Sequence, residues 1–156
     1  MNDLGERAGP RFRVGVDLTA VGEVEASLAA QGDRYLRRLF TDHEVASSQG
    51  LQGLRAESLA ARFAAKEAVV KVLRPTGPRP EWRDIEVRRH ENGACDIVLH
   101  GSAATLAASQ GIEELQVSLS HEGGMAVAMV IGLVSAARPV GGNRPVDGDG
   151  SRGGRE

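Results

Sequence analysis

The stretch from Glu57 to Leu73 carries its charges in an unusual place. Stepping about 100° per residue from Leu59, the side chains of Phe63, Val70 and Leu73 fall in one stripe about 80° wide. Lys66 lands at about −20°, in the middle of that stripe, and Glu67 at about 80°, at its edge. A solvated helix face would put both on the opposite side. Burying a charge is costly unless it is paired or bound to a ligand. Two readings stay open. Lys66 snorkels past its neighbours while Glu67 and Lys71, four residues apart, form an ordinary helix pair; or these charges serve a ligand. Asp17 is the only charge in Val14 to Leu18 and sits where a strand hands over to a helix. It either caps that helix or its turn, or offers a hard oxygen ligand at the end of an element. Two carboxylates from separate elements, with room left for water and phosphate oxygens, suit Mg2+ better than zinc.

Other candidates are weaker. His121 ends the run Val117-Ser-Leu-Ser-His before Gly123-Gly124, where it caps a hairpin or joins a site. His43, His90 and His100 are scattered and form no zinc spacing with Cys95. Asp147-Gly-Asp149-Gly resembles the opening of a calcium loop but lacks its final glutamate. The glycines of the tail follow no strand and precede no helix, so they make no phosphate-binding loop.

The elements that must position these residues are legible in outline. Residues 1–11 read as a flexible leader. Residues 12–18 alternate, which is a strand, with Val14, Val16 and Leu18 on one face and Arg13, Gly15 and Asp17 on the other. Helical spacing runs from Thr19, a candidate cap, to about Ala30. A second short helix covers Arg34 to Phe40. A third opens on the capping box Thr41-Asp-His-Glu44. Residues 49–53 read as a loop, and 57–73 as the strongest helix, stopped by Pro75. Residues 74–80, with three prolines, form a connector. Two strands, 85–88 and 96–100, flank the hairpin signal Asn92-Gly93. A helix over 102–110 ends at Gly111, and strands over 115–121 and 125–134 come next. The whole is α+β, an antiparallel sheet packed with helices, over residues 12–137. Residues 138–156 are Gly, Pro, Arg and Asp with little to bury, so a disordered tail is expected.

Bulk properties narrow the function. A chain of 156 residues with 41% hydrophobic and 26% charged residues fits one globular domain. A net charge of −2 and only 3% aromatics give neither the basicity nor the stacking surfaces expected of a nucleic-acid binder. The single cysteine allows no intrachain disulfide. The longest apolar run, Met125 to Ala137, is too short to cross a bilayer. The opening residues lack an apolar signal core. A cytoplasmic protein is expected.

Val14-Gly-Val-Asp-Leu, Arg62-Phe-Ala-Ala-Lys-Glu-Ala-Val-Val-Lys71 and Val117-Ser-Leu-Ser-His121 together resemble the three signatures of holo-acyl-carrier-protein synthases, the 4'-phosphopantetheinyl transferase family. Arg38-Leu-Phe-Thr-Asp-His-Glu44 is also similar, and the likeness runs from about Val14 to Gly132. The resemblance implies an α+β protomer, a homotrimer with active sites at its interfaces, and Mg2+ held by Asp17 and Glu67. It implies coenzyme A as co-substrate, its pyrophosphate met by Lys71, with Ser120 and His121 lining the coenzyme. Lys66 lies inside the motif, either touching ligand or supporting Glu67. The reaction implied is attack of a carrier serine on the phosphorus bearing pantetheine, with 3',5'-ADP leaving and Glu67 the expected base.

An acidic carrier, fatty-acid or polyketide, would need a basic patch, and Arg34, Arg37 and Arg38 are the densest cluster outside the tail. Their alternative is a solvated helix face. Glu23 departs from the family pattern, in which many relatives carry an arginine near that position to dock the carrier. Two other functions compete with the transferase. One is a non-catalytic module that binds coenzyme A or a carrier. The other is a different Mg2+-dependent enzyme acting on pyrophosphates, such as a hydrolase.

Overall fold

The computed structural model describes residues 11–135; the expected tail and all of the expected leader but Arg11 lie outside them. Three antiparallel strands form the main sheet: β1 (Arg11–Ala20), β7 (Met125–Val134) and β6 (Ile112–Glu122), with β7 in the centre. Between β1 and β6 the chain runs through α1 (Val21–Gln31), α2 (Asp33–Leu39), α3 (Asp42–Ser47), the short hairpin β2 (Gln49–Gly50) and β3 (Gly53–Leu54), and α4 (Ala56–Leu73). A 3₁₀ turn at Trp82–Asp84, the pair β4 (Ile85–Arg89) and β5 (Cys95–Leu99), and α5 (Gly101–Ser109) complete it. Antiparallel strands with helices packed on them are the α+β class expected from the sequence.

The long helix α4 lies across one face of the sheet, and small side chains explain how closely. Ala64, Ala65 and Ala68 of α4 are fully buried, as are Ala126, Ala128 and Val130 of β7. At Gly15 the strand approaches so near that an added Cβ would overlap the carbonyl oxygen of Ala68. At Gly132 it would come within 2.6 Å of a Val72 methyl. Only glycine permits such contact between backbones. The β6–β7 turn is closed by Gly123 and Gly124 at φ 58° and 76°. Two positive φ values in a two-residue hairpin loop are the type I′ pattern, and they fix the pairing of Glu122 with Met125. The carbonyl of Gly124 also accepts from the N–H of Val21, 2.9 Å away, so this turn anchors the start of α1.

β1 turns its polar residues inward. Arg13, Gly15, Asp17 and Thr19 face α4, while Phe12, Val14, Val16 and Leu18 are 52% to 63% exposed. Opposite them in register on β7 stand Leu133, Ile131, Met129 and Val127. The outer face of the sheet is therefore a broad apolar surface with nothing of this chain over it among the described residues.

Some boundaries differ from expectation. Thr19 does not cap α1; it is buried in β1, which runs on to Ala20, and no side chain caps the helix. The capping box at Thr41 is present in full, with Glu44 accepting from the Thr41 N–H at 2.8 Å. Residues 49–53 are not a plain loop but the β2–β3 hairpin. Helix α4 stops before Pro75 itself, at Arg74, whose φ of 47° is left-handed. A proline disfavours right-handed helical geometry in the residue before it.

Candidate active site

Asp17 leaves β1 on the side of α4, and there its Oδ1 accepts from Lys71 Nζ at 2.9 Å. The same ammonium donates to the carbonyl of Val16 at 2.6 Å. Neither structural alternative for these residues holds: Asp17 does not cap α1, and Lys71 takes Asp17 rather than Glu67 as its close partner. Glu67 lies one turn before Lys71, and its Oε1 stands 3.9 Å from Arg79 Nη1. Burial pushes the Glu67 carboxyl above its ordinary range; Arg79 pulls it down, the Asp17 charge raises it, and Lys71 lowers it. The two acids feel each other, and each has a cation beside it. Helical spacing puts Glu67 at the edge of the buried stripe, and its side chain is 24% exposed there.

The donor set suits a hard divalent cation. Among the described residues no group of three or more His, Cys, Asp or Glu side chains forms a metal cage. Two carboxylates, Asp17 and Glu67, could share a hard divalent cation that keeps waters and substrate phosphates as its other ligands. Beside Glu67 opens a cleft of about 410 Å³ between α1, α2 and α4. Phe63 and Trp82, with ring centroids 5.3 Å apart, make its apolar wall, and Tyr35 and Arg38 line the α2 side. Glu23 lines the α1 side.

A second pocket, about 200 Å³, lies on the other side of α4, since Arg62 sits about 140° from Glu67 around the helix. Arg55, Arg62, Arg89 and His121 line it. Arg62 is 3% exposed, donates to Ser58 Oγ at 2.5 Å and to Ser47 Oγ at 2.9 Å, and keeps an unpartnered Nε; Arg55 Nε is likewise unpartnered. Guanidinium Nε groups left without a partner favour an anion. Cys95 also lines it, but burial pushes its thiol up, away from reactivity. His121 reaches this pocket, whereas Ser120, the next residue along β6, faces the other side of the sheet, paired in register with Val127.

Lys66, expected either to touch ligand or to support Glu67, has no exposed surface. Its Nζ donates to Glu44 Oε2 and to the Trp82 carbonyl, each at 2.9 Å, and to the Ile85 carbonyl. Burial lowers its pKa, and Glu44 offsets only part of that. Glu44, also without exposed surface, accepts from the Val87 N–H at 2.9 Å with its other oxygen. The pair thus ties α3, α4 and β4 together. A lysine in the apolar stripe does need a partner, and that partner is a protein carboxylate 22 residues away.

The three arginines of α2 divide. Arg38 lines the Glu67 cleft, and Arg34, four residues earlier, shares its face. Arg37 points elsewhere, 3.8 Å from the exposed Asp33. Arg79, in the connector, and Trp82, in the 3₁₀ turn after it, lie in segments with no periodicity to mark them. Arg62 is visible as the first residue of its motif, but nothing in the spacing marks it as an anion ligand.

Residues 13–129 match the model of the 4'-phosphopantetheinyl transferase superfamily. A holo-[acyl-carrier-protein] synthase of Desulforudis audaxviator is 41% identical over 120 residues, 77% of this chain and 91% of that protein. One from Frankia casuarinae is 46% identical over 118 residues, 76% of this chain and 93% of that protein. In fold, an ACPS–CoA complex from Chronobacterium ammoniagenes is similar with TM-score 0.69 and 30% identity, covering 80% of this chain and 98% of that one. The acyl carrier protein synthase of Mycobacterium tuberculosis is similar with TM-score 0.62 and 31% identity, covering 78% and 96%.

Proposed function

The chain belongs to the 4'-phosphopantetheinyl transferase superfamily, and we propose that Asp17, Glu67 and Lys71 are where it does its chemistry. It transfers the 4'-phosphopantetheine moiety of coenzyme A to a serine of an apo acyl carrier protein, releasing 3',5'-ADP. The observation that supports the site assignment is the Asp17–Lys71 ion pair at 2.9 Å, which sets Asp17 of β1 beside a lysine one helical turn after Glu67 on α4.

Asp17 and Glu67 would hold Mg2+, which supplies charge neutralisation to the diphosphate of coenzyme A. Glu67 takes the proton of the carrier serine, directly or through water. The serine oxygen bonds to phosphorus, the bond from that phosphorus to the 3',5'-ADP oxygen breaks, and the electron pair leaves with ADP. Lys71 swings its ammonium from Asp17 to a phosphate oxygen and holds the group in line. Arg55, Arg62, Arg89 and His121 bind the remaining phosphate of coenzyme A, which the unpartnered Nε groups of Arg55 and Arg62 favour.

The two halves of this site lie on different sides of α4, which supports a homotrimer with interfacial active sites, one protomer offering acids and its neighbour guanidinium groups. The outward apolar face of β1 and β7 is the surface such assembly would bury. Arg34 and Arg38 steer the acidic carrier toward the cleft, with Arg37 and its Asp33 partner beside them. A cytoplasmic setting fits a chain with one cysteine, and no helix among the described residues is long and apolar enough to cross a membrane.

Intact-mass measurement of an apo carrier incubated with the protein, coenzyme A and Mg2+ tests the reading. A gain of one phosphopantetheine on the serine is expected, abolished in Glu67→Gln. Tight coenzyme binding without transfer would instead mark a non-catalytic module, and coenzyme breakdown without carrier modification a hydrolase. A panel of fatty-acid and polyketide carriers identifies the one served.

A further inference from the structure

We infer that Arg79 is a second phosphate-binding cation of this site, paired with Glu67 until the acid pair takes up a divalent cation. The inference rests on the transferase reading above and names a residue which that reading does not use.

Four observations place Arg79 for this task. Its Nη1 lies 3.9 Å from Glu67 Oε1, so Glu67 has its own cation just as Asp17 has Lys71 at 2.9 Å. Its guanidinium carbon stands 5.9 Å from the Trp82 ring centroid, and Trp82 packs on Phe63 in the wall of the Glu67 cleft. A cation–π contact with Trp82 holds the guanidinium near the cleft without needing the carboxylate. Pro78 and Pro80 flank it, which restricts the backbone that carries it. The side chain is 62% exposed, so a diphosphate can reach it.

Charge explains why two cations are needed. Asp17, Glu67, Lys71 and Arg79 sum to zero, so the four side chains balance one another. A divalent cation between the carboxylates adds two positive charges and takes away the partners of both Lys71 and Arg79. A diphosphate diester carries two negative charges and restores the balance. Lys71 and Arg79 are then both free to meet the phosphate. Without Arg79 the loaded site would be left one negative charge in excess, and the acid pair alone would attract a cation more strongly.

The test exploits these opposite signs. Titrate wild type, Arg79→Ala and Arg79→Lys with Mn2+ alone, then with coenzyme A at saturating Mn2+, by calorimetry and by the fluorescence of Trp82, the only tryptophan in the chain. Arg79→Ala should bind Mn2+ alone several-fold more tightly, and coenzyme A roughly tenfold or more weakly, the scale of a lost charge-assisted hydrogen bond. Arg79→Lys should recover part of the coenzyme affinity, and the Trp82 response to coenzyme should shrink in Arg79→Ala. A parallel fall in both affinities would reveal a structural role and overturn the inference, as would two unchanged affinities. Wild type that binds no coenzyme A would instead sink the transferase reading itself.

Discussion

Replacing Lys66 with Met separates a structural lysine from a ligand-binding one. The substitution keeps a long unbranched side chain but removes an ammonium with no exposed surface. Glu44, equally buried, then loses its ion-pair partner, and the carbonyls of Trp82 and Ile85 lose a donor. Breaking a buried pair from one side costs about 3–5 kcal/mol. Glu44 keeps the N–H groups of Thr41 and Val87, at 2.8 and 2.9 Å, which argues for about 3 kcal/mol rather than 5. With a urea slope of about 1–3 kcal/mol per molar, the midpoint should fall by about 1–3 M. Trp82 fluorescence follows the transition locally, since its own carbonyl is one of the lysine's acceptors. Adding Glu44→Gln should restore part of the loss, and the double-mutant cycle should give a coupling above about 1 kcal/mol. A Lys66→Met loss below about 1 kcal/mol would refute the account of the pair. So would a fully folded variant whose coenzyme affinity has fallen by an order of magnitude, because Lys66 would then touch the ligand.

Four further outcomes are expected. Val16→Asp and Met129→Asp, on the outward sheet face, should lower the assembly state in sedimentation velocity while circular dichroism of the protomer is unchanged. Arg34→Glu with Arg38→Glu should raise the KM for carrier by about tenfold and leave that for coenzyme A nearly untouched, whereas Arg37→Glu, already offset by Asp33, should do less. Glu67 has a folded pKa above its ordinary 4.5, so its ionised form is the disfavoured one in the fold. Glu67→Gln should therefore be more stable than wild type at neutral pH, with the difference vanishing as pH drops below 4.5 and both forms are neutral. Divalent-cation affinity of the wild type should decline with acidification earlier than an unperturbed carboxylate would allow.

Local physics wrote most of the elements plainly. The capping box at Thr41 and the glycine turn before Met125 depend on neighbouring residues only, so both are readable. The extent of β1 is not, because Thr19 has the chemistry of a cap and only pairing with Ala126 of β7 keeps it in a strand. The orientation of β1 misleads for a related reason. Alternation shows that Val14, Val16 and Leu18 share a face, but which face turns inward is set by what covers the sheet, and α4 needs glycine and small polar neighbours. In the site, Asp17 and Glu67 stand out because charges in apolar company are expensive. The partner of Lys66 and the nearness of Arg79 come from contacts across long chain separations, which one-dimensional spacing does not encode.

Gly15 has a wider consequence. With no side chain between strand and helix, the main chains that carry Asp17 and Glu67 are held at a fixed, short separation. Such a bed tolerates almost no redesign: any larger residue at position 15 would wedge the acids apart. Variation in what the protein recognises must therefore accumulate in the surrounding walls, in α1, α2 and the proline-rich connector, where side chains can change without moving the acids at all.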